Sequence, residues 1–200
     1  MARDAYRFCI PVLLASLLCA ISGHVWLALA FFMLASFICY FFRNPERDIP
    51  QGGNLVVSPA DGKVVKIMPM PDGTKTISIF LSIFNVHMNR SPVSGQLERL
   101  EYKRGKFKVA FDEEASRVNE QNILTISTQD TEIVVRQIAG LIARRVICWK
   151  KPGESVVRGE LIGLIRFGSR VDITVPEKVR IRVGIGDRVR GGSSVLGEYT

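Results

Sequence analysis

The sequence has little with which to bind metal or cross-link itself. Of its 200 residues two are histidine and four are cysteine. Cys9, Cys19 and Cys39 fall in one apolar run, and Cys148 stands alone in the remainder, so no disulfide framework or metal-ligand spacing can be drawn. Reduced thiols facing the cytoplasm fit that pattern. Charge is absent from Phe8 to Phe42, taking His24 as neutral. Outside that run there is little sustained helical periodicity, and only Leu141 to Arg145 could make a helical turn. No nucleic-acid motif accompanies the net charge of +8, so nucleic acid is not an expected partner. No G-x-S-x-G elbow is present, which leaves an ordinary serine hydrolase poorly supported.

What is present divides in two. The chain is 47 % hydrophobic with a mean hydropathy of +0.17, and the excess is concentrated near the N-terminus. The uncharged run of about 35 residues would be about 52 Å long as one helix, whereas one bilayer crossing needs about 20 residues. Ser22-Gly23-His24 breaks it near the middle. The reading is a membrane hairpin of two helices, roughly 9–21 and 25–42, spanning or re-entrant. Arg3 and Arg7 precede it and Arg43 and Arg47 follow, which suits both ends on the cytoplasmic side of the cell membrane. A cleaved signal peptide fits poorly, because the apolar stretch is too long and no clear cleavage site follows. Basic residues gather at Arg99, Lys103, Arg104, Lys106 and Lys108, and again at Arg180, Arg182, Arg188 and Arg190. Beside a membrane anchor they suggest attraction to anionic headgroups; a merely solvated face is the plain alternative.

FFRNPER closes the apolar segment, and a linker runs on to about Asn54. The expected division is a hairpin over 1–48 and a β-rich domain over 49–200. Short Val- and Ile-rich runs then recur, punctuated by Gly, Pro, Asp and Asn: LVVSPADGKVVKIM, TKTISIFLSIF, ILTISTQ, TEIVVRQIAG, SRVDITV. This predicts a mostly β sandwich or barrel. One pattern repeats. Gly153 to Gly159 and Gly186 to Gly192 share G-[DE]-x-V-x-x-G, offset by 33 residues (Gly153 to Gly186), and each reads as two turns feeding a strand. Lipoyl- and biotin-carrier domains, which are barrel–sandwich hybrids, use the same grammar, so two pseudo-symmetric halves are expected.

The residues able to do chemistry are few. His24 lies in the hairpin break and reads as an interfacial turn residue. His87 lies in FNVHMNRSPVSG, after a buried-looking strand. Asp61 lies in SPADGKV, where a DG turn accounts for it. Ser169 follows Gly168 in RFGSRVD, where a bulge accounts for the pair. Taken singly, each has a structural explanation. Taken together, an acid, an imidazole and a hydroxyl are the parts that activate a serine oxygen.

FFRNPER, SPADGKV, FNVHMNRSPVSG, RQIAGLIARR and RFGSRVD, in that order along essentially the whole chain, resemble the phosphatidylserine decarboxylase family in its short, membrane-anchored form. Longer members carry LGS followed by Thr, where this chain has FGS followed by Arg170. They also carry a second His three residues before the matched one; here that position is Phe84, so its role does not carry over. The resemblance implies a proenzyme that cuts itself at Gly168–Ser169. Ser169 would attack the Gly168 carbonyl, His87 would act as base, and Asp61 would orient the imidazole. The products would be a β chain, 1–168, and an α chain, 169–200, whose Ser169 becomes a covalent pyruvoyl group. That group would form a Schiff base with the amine of phosphatidylserine and accept electrons as carbon dioxide leaves, giving phosphatidylethanolamine. His87 is the candidate proton donor. No metal is implied. The partners would be the phospholipid, the membrane, the sister chain and, as an open matter, further copies of the protein.

Two rival readings use the same residues differently. A membrane-anchored lipoyl-like carrier or adaptor should present a modifiable lysine at a hairpin tip, but the turns read VVRG and RVRGG. A hydrolase acting on an outside substrate predicts an intact chain. Self-cleavage separates the first reading from both.

Overall fold

The computed structural model describes residues 3–105, 118–129, 131–140, 146–166 and 169–200. Gly168, the turn expected at Leu141 to Arg145, and Lys106 and Lys108 lie outside the described residues. The chain forms two compact units, Met1–Glu46 and Arg47–Thr200.

The first unit is a helical hairpin, α1 (Arg3–Ile21) and α2 (Val25–Phe41). Helix α1 starts earlier than the apolar run, taking in Arg3, Asp4 and Arg7. It ends at Gly23, whose φ of 79° is left-handed. There the His24 N–H reaches back to Cys19 O (2.8 Å), the closure of a glycine-terminated helix. The helices run antiparallel, joined by Ser16 Oγ donating to Ala28 O (2.8 Å). Cys9 Sγ and Cys39 Sγ lie 3.2 Å apart as free thiols. Ala28 and Ala35, seven positions apart on α2, are buried because small side chains let the backbones approach. Leu17, Leu18, Ile21, Trp26 and Met33 are exposed. Among the described residues no helix is both long and apolar enough to cross a membrane. Helix α2 is uncharged, but its 17 residues rise only about 26 Å.

The second unit is mostly β. Its strands are β1 (Leu55–Val57), β2 (Gly62–Pro69), β3 (Lys75–Leu81), β4 (Met88–Arg90), β5 (Gly95–Lys103), β6 (Gln121–Ser127), β7 (Glu132–Ala139), β8 (Val146–Cys148), β9 (Ser155–Val156), β10 (Leu161–Ile165), β11 (Ser169–Val175), β12 (Val179–Ile181), β13 (Arg188–Val189) and β14 (Val195–Tyr199). An eight-stranded sheet runs β13-β2-β3-β11-β7-β6-β5-β9, and two three-stranded sheets run β1-β14-β12 and β4-β10-β8. Every pairing is antiparallel. Alternation along the strands turns Ile77, Ile79 and Leu81, Val171 and Ile173, Ile133 and Val135, and Leu124 and Ile126 to one buried face, the core.

The sheets fall into two equivalent sets of bonds, offset by 33 residues (Gly153 to Gly186). The repeat places β9 and β13 at opposite edges of the large sheet, β9 on β5 at Gly95 and β13 on β2 at Gly62. The four glycines that define the pattern, Gly153, Gly159, Gly186 and Gly192, all have left-handed φ, between 80° and 103°. Val64 N donates to Asp187 O as Leu97 N does to Glu154 O, both 2.9 Å. Ser58 Oγ closes on Ala60 O, and Ser91 Oγ on Val93 O, both at 2.7 Å. SPADG and SPVSG are therefore one turn used twice. Asp61-Gly62 lies in the bend between β1 and β2; neither turn closes a hairpin, because each carries the chain from a three-stranded sheet to the large one.

Gly62 sits against its neighbour's backbone, and a Cβ there would lie 2.2 Å from Phe80 O and 2.9 Å from Ile79 Cγ2. Its lack of a side chain is required by this close approach. Gly62→Ala is expected to cost about 1–3 kcal/mol, as overpacking does, lowering the thermal midpoint by roughly 2–12 °C. A midpoint within 1 °C or so of wild type by circular dichroism would show that the strands can part without cost.

Candidate active site

Ser169 is the first residue of β11, at the middle of the large sheet between Leu81 of β3 and Ala139 of β7. Directly opposed residues share a face, so its side chain lies on the core side with Leu81 and Ala139. The residue is fully buried, and among the described residues its Oγ has no hydrogen-bond partner. A buried unpaired hydroxyl costs about 1–3 kcal/mol, which a structural serine would not retain.

His87 is reached from the same place. Leu81, opposite Ser169, ends β3, and a tight turn follows: Asn85 Oδ1 accepts from Ser82 N (2.9 Å) and Ser82 Oγ (2.8 Å). Phe84 projects outward from this turn at 63 % exposure, while His87 is fully buried. The His87 Nδ1 is 2.9 Å from Asn85 O. A carbonyl oxygen can only accept, so Nδ1 carries a hydrogen, which leaves Nε2 as the ring nitrogen that can exchange a proton. On its other side His87 O accepts from Ile165 N (3.3 Å), the last residue of β10. His87 thus lies six residues beyond Leu81, the partner of Ser169, and is bonded through its backbone to Ile165. Three residues of chain lie between Ile165 and Ser169, and the four Cα–Cα steps span at most about 14 Å.

At the Ser169 end the core face turns polar. Asn122 of β6 and Gln137 of β7 stand at inward positions, in register with each other, and Gln137 also faces Val171. Asn122 Nδ2 donates to Gln137 Oε1 (3.0 Å), and Gln137 Nε2 donates to Asn89 Oδ1 of β4 (2.8 Å). All three residues are buried. Sequence reasoning missed this chain of amides. Its signal was present: Asn122 and Gln137 share the alternation of Leu124, Ile126, Ile133 and Val135, where an apolar residue is the rule.

Asp61 is bonded elsewhere. Its two carboxylate oxygens accept from Arg47 Nη2, each at 2.9 Å, and Oδ1 also accepts from Gly191 N (2.8 Å). The second bond belongs to the repeat, since Ser94 Oγ accepts from Arg158 N (3.0 Å) at the equivalent place. The pairing with Arg47 is Asp61's own. Pro59 O accepts from Arg90 N (2.9 Å), which ties the Asp61 bend to the end of β4 away from His87. Burial and the charge of Arg47 push the Arg90 guanidinium below its ordinary pKa, against the pull of Asp61. Thus His87 Nδ1 donates its orienting hydrogen bond to the Asn85 carbonyl and not to the Asp61 carboxylate. On the opposite face from Ser169, Arg170 and Asp172 form a buried bidentate pair, both bonds 2.8 Å. Burial pushes the Cys148 thiol up, which suits an inert cysteine. No grouping of His, Cys, Asp and Glu among the described residues could hold a metal ion. A groove of about 1000 Å³ lined by Gln51, Asn54, Ser94, Arg158 and Lys178 includes none of Ser169, His87 and Asp61.

Comparison with known proteins gives these residues a setting. Residues 34–197 match the family model of phosphatidylserine decarboxylase. The phosphatidylserine decarboxylase proenzyme of Solibacter usitatus is 48 % identical over 185 residues, covering 90 % of each chain. That of Syntrophus aciditrophicus is 42 % identical over 207 residues, covering 100 % of this chain and 97 % of its own. That of Aromatoleum aromaticum is 43 % identical over 205 residues. Matches of this extent make the protein an enzyme, a decarboxylase. The chain belongs to the phosphatidylserine decarboxylase family. The carrier or adaptor reading is not favoured.

Proposed function

We propose that this chain is a self-processing decarboxylase of phosphatidylserine whose prosthetic group is a pyruvoyl made from Ser169. The observation that carries the reading is the buried Ser169 hydroxyl without a partner among the described residues. An enclosed nucleophile suits attack on its own chain, a step that needs no entrance.

Ser169 Oγ adds to the carbonyl carbon of Gly168 and gives its proton to His87 Nε2. The C–N bond breaks, the Ser169 nitrogen takes the proton, and an ester joins the two halves. Loss of the Ser169 α-proton then expels the Gly168 carboxylate. The dehydroalanine left on 169–200 takes up water and releases ammonia, which leaves the ketone. The chain's residues fit such a group: it is no larger than serine, and among the described residues Ser169 Oγ has no hydrogen bond to give up. When present, the ketone supplies a carbonyl that can engage the substrate amine and take up the electron pair freed as carbon dioxide leaves. His87 is the residue we assign to return a proton to the substrate carbon. Asp61 is assigned the acid of the triad. To orient the ring directly, its carboxylate must turn from Arg47, and His87 Nδ1 must exchange Asn85 O for it.

The same reading gives the hairpin, 1–48, a place in the bilayer on the cytoplasmic side. Its exposed Leu17, Leu18, Ile21, Trp26 and Met33 are the large apolar side chains that insertion in lipid would cover. The domain over 49–200 is read as a barrel–sandwich hybrid of the lipoyl-carrier kind, on the strength of its two equivalent sets of turns.

Intact-mass spectrometry of the purified full chain tests the processing. Wild type is expected as two fragments divided at 168/169, the smaller lighter by one ammonia than a serine-started peptide. Ser169→Ala is expected whole, at 22.3 kDa. A folded wild type that stays whole contradicts the reading. For the membrane, the full chain should float with anionic vesicles, and Leu18→Glu with Met33→Glu should weaken that; unchanged flotation of the variant argues against insertion of the hairpin.

A further inference from the structure

We propose that Asn89 is a catalytic residue of self-processing: its Nδ2 donates the hydrogen bond that stabilises the oxyanion formed at the Gly168 carbonyl oxygen when Ser169 Oγ adds. The assignment rests on the self-processing reading above.

The chain of amides has a direction. Asn122 Nδ2 donates to Gln137 Oε1, and Gln137 Nε2 donates to Asn89 Oδ1. Each bond fixes which end of the next amide is oxygen, so the chain ends on the NH2 group of Asn89. That group is fully buried, and among the described residues it has no partner. Ser169 Oγ is in the same condition. An unmet buried donor costs about 1–3 kcal/mol, and three buried amides are a poor way to fill a core unless the last one has work.

The donor also lies in the right neighbourhood. Gln137 is two residues from Ala139, the partner of Ser169, so Gln137 and Ser169 are diagonal neighbours about 7–8 Å apart on one face. The Asn89 side chain touches Gln137 at 2.8 Å. His87 precedes Asn89 by two residues, just before β4, and its backbone oxygen continues the pairing with β10 by accepting from Ile165 N. Nucleophile, base and donor therefore converge from β11, from the segment before β4, and from β4 itself. Room for the chain comes from Gly163, paired with Asn89, where a Cβ would lie 2.7 Å from Gln137 Nε2 and 2.2 Å from Ile147 O.

The chemistry needs such a donor and nothing more from it. As the Oγ–C bond forms, the carbonyl π pair moves onto oxygen, and the hydroxyl proton passes to His87 Nε2. As the pair returns, the C–N bond breaks and the proton passes to the Ser169 nitrogen. A neutral amide donates throughout without losing its hydrogen. Gln137 and Asn122 are positioning residues that aim it.

The test follows cleavage of the full chain in lipid vesicles, by gel and intact mass, with and without hydroxylamine, which cuts esters. The variants are Asn89→Leu, which keeps the shape, and Asn89→Ala, with Ser169→Ala as the uncut reference. Both Asn89 variants are expected to match the reference in near-ultraviolet circular dichroism and to cleave about 10²–10³-fold more slowly than wild type, as loss of one oxyanion donor does. Hydroxylamine should release no extra fragment from them, because addition itself is slowed. A folded Asn89 variant that cleaves at the wild-type rate, or that builds up hydroxylamine-sensitive ester, overturns the assignment. Loss of fold in both variants also overturns it, because the amides are then framework. A wild type that stays whole removes the processing reading and this assignment together, whereas equal cleavage of wild type and variant removes the assignment alone.

Discussion

Strand β11 is hydrogen-bonded on both sides, to β3 from Ser169↔Leu81 to Val175↔Lys75 and to β7 from Ser169↔Ala139 to Thr174↔Val134. The rest of the unit depends on that double pairing. Ser169 can begin a new chain end only if the residues after it stay in place once the bond before it is gone. A strand inserted between two others is held by interstrand bonds, not by the covalent link at its start. The buried Arg170–Asp172 pair locks the same strand on its other face. A cut at an edge strand or in a loop would leave a free end; here it would leave the end within the core.

The same placement explains why the site is polar where the core should be apolar. Ser169, Gln137, Asn122 and Asn89 occupy one end of a face otherwise built from Ile, Leu and Val. Each buried polar group is costly without partners, and most here are satisfied by one another. The two that are not, among the described residues, are Ser169 Oγ and Asn89 Nδ2, and Asn89 follows the one imidazole of the β unit, His87, by two residues. The framework around them is duplicated, but the chemistry is not. Asp61 and Ser94 cap equivalent turns, yet only Asp61 carries a charge, and Arg47 holds it.

The sequence made the β-rich domain and the two N-terminal helices legible, because period-two runs of Val and Ile and an uncharged run broken at Gly23 are local signals. The extension of α1 back to Arg3 was not legible from apolarity, since a charged turn can continue a helix that apolar residues begin. Offset repeats suggested two halves; which edges they would occupy depends on long-range pairing of β9 with β5 and β13 with β2, which no local pattern encodes. The Asp61-Gly62 pair read as a turn between strands, but that its strands belong to different sheets was not legible, because the dipeptide is the same in a hairpin and in a crossover between sheets. Ser169 and His87 could be singled out by residue type and by resemblance. The Asn85 carbonyl at His87 could not, since every residue has one. Asn122, Gln137 and Asn89 were readable only as polar residues at inward positions, once the register was known.

The most direct measurement of the account is release of carbon dioxide from phosphatidylserine labelled in the serine carboxyl, presented in vesicles to the full chain. Wild type is predicted to release the label and leave phosphatidylethanolamine, while Ser169→Ala releases none. Release by Ser169→Ala, or none by wild type already divided at 168/169, would contradict the claim that Ser169 becomes the electron-accepting group.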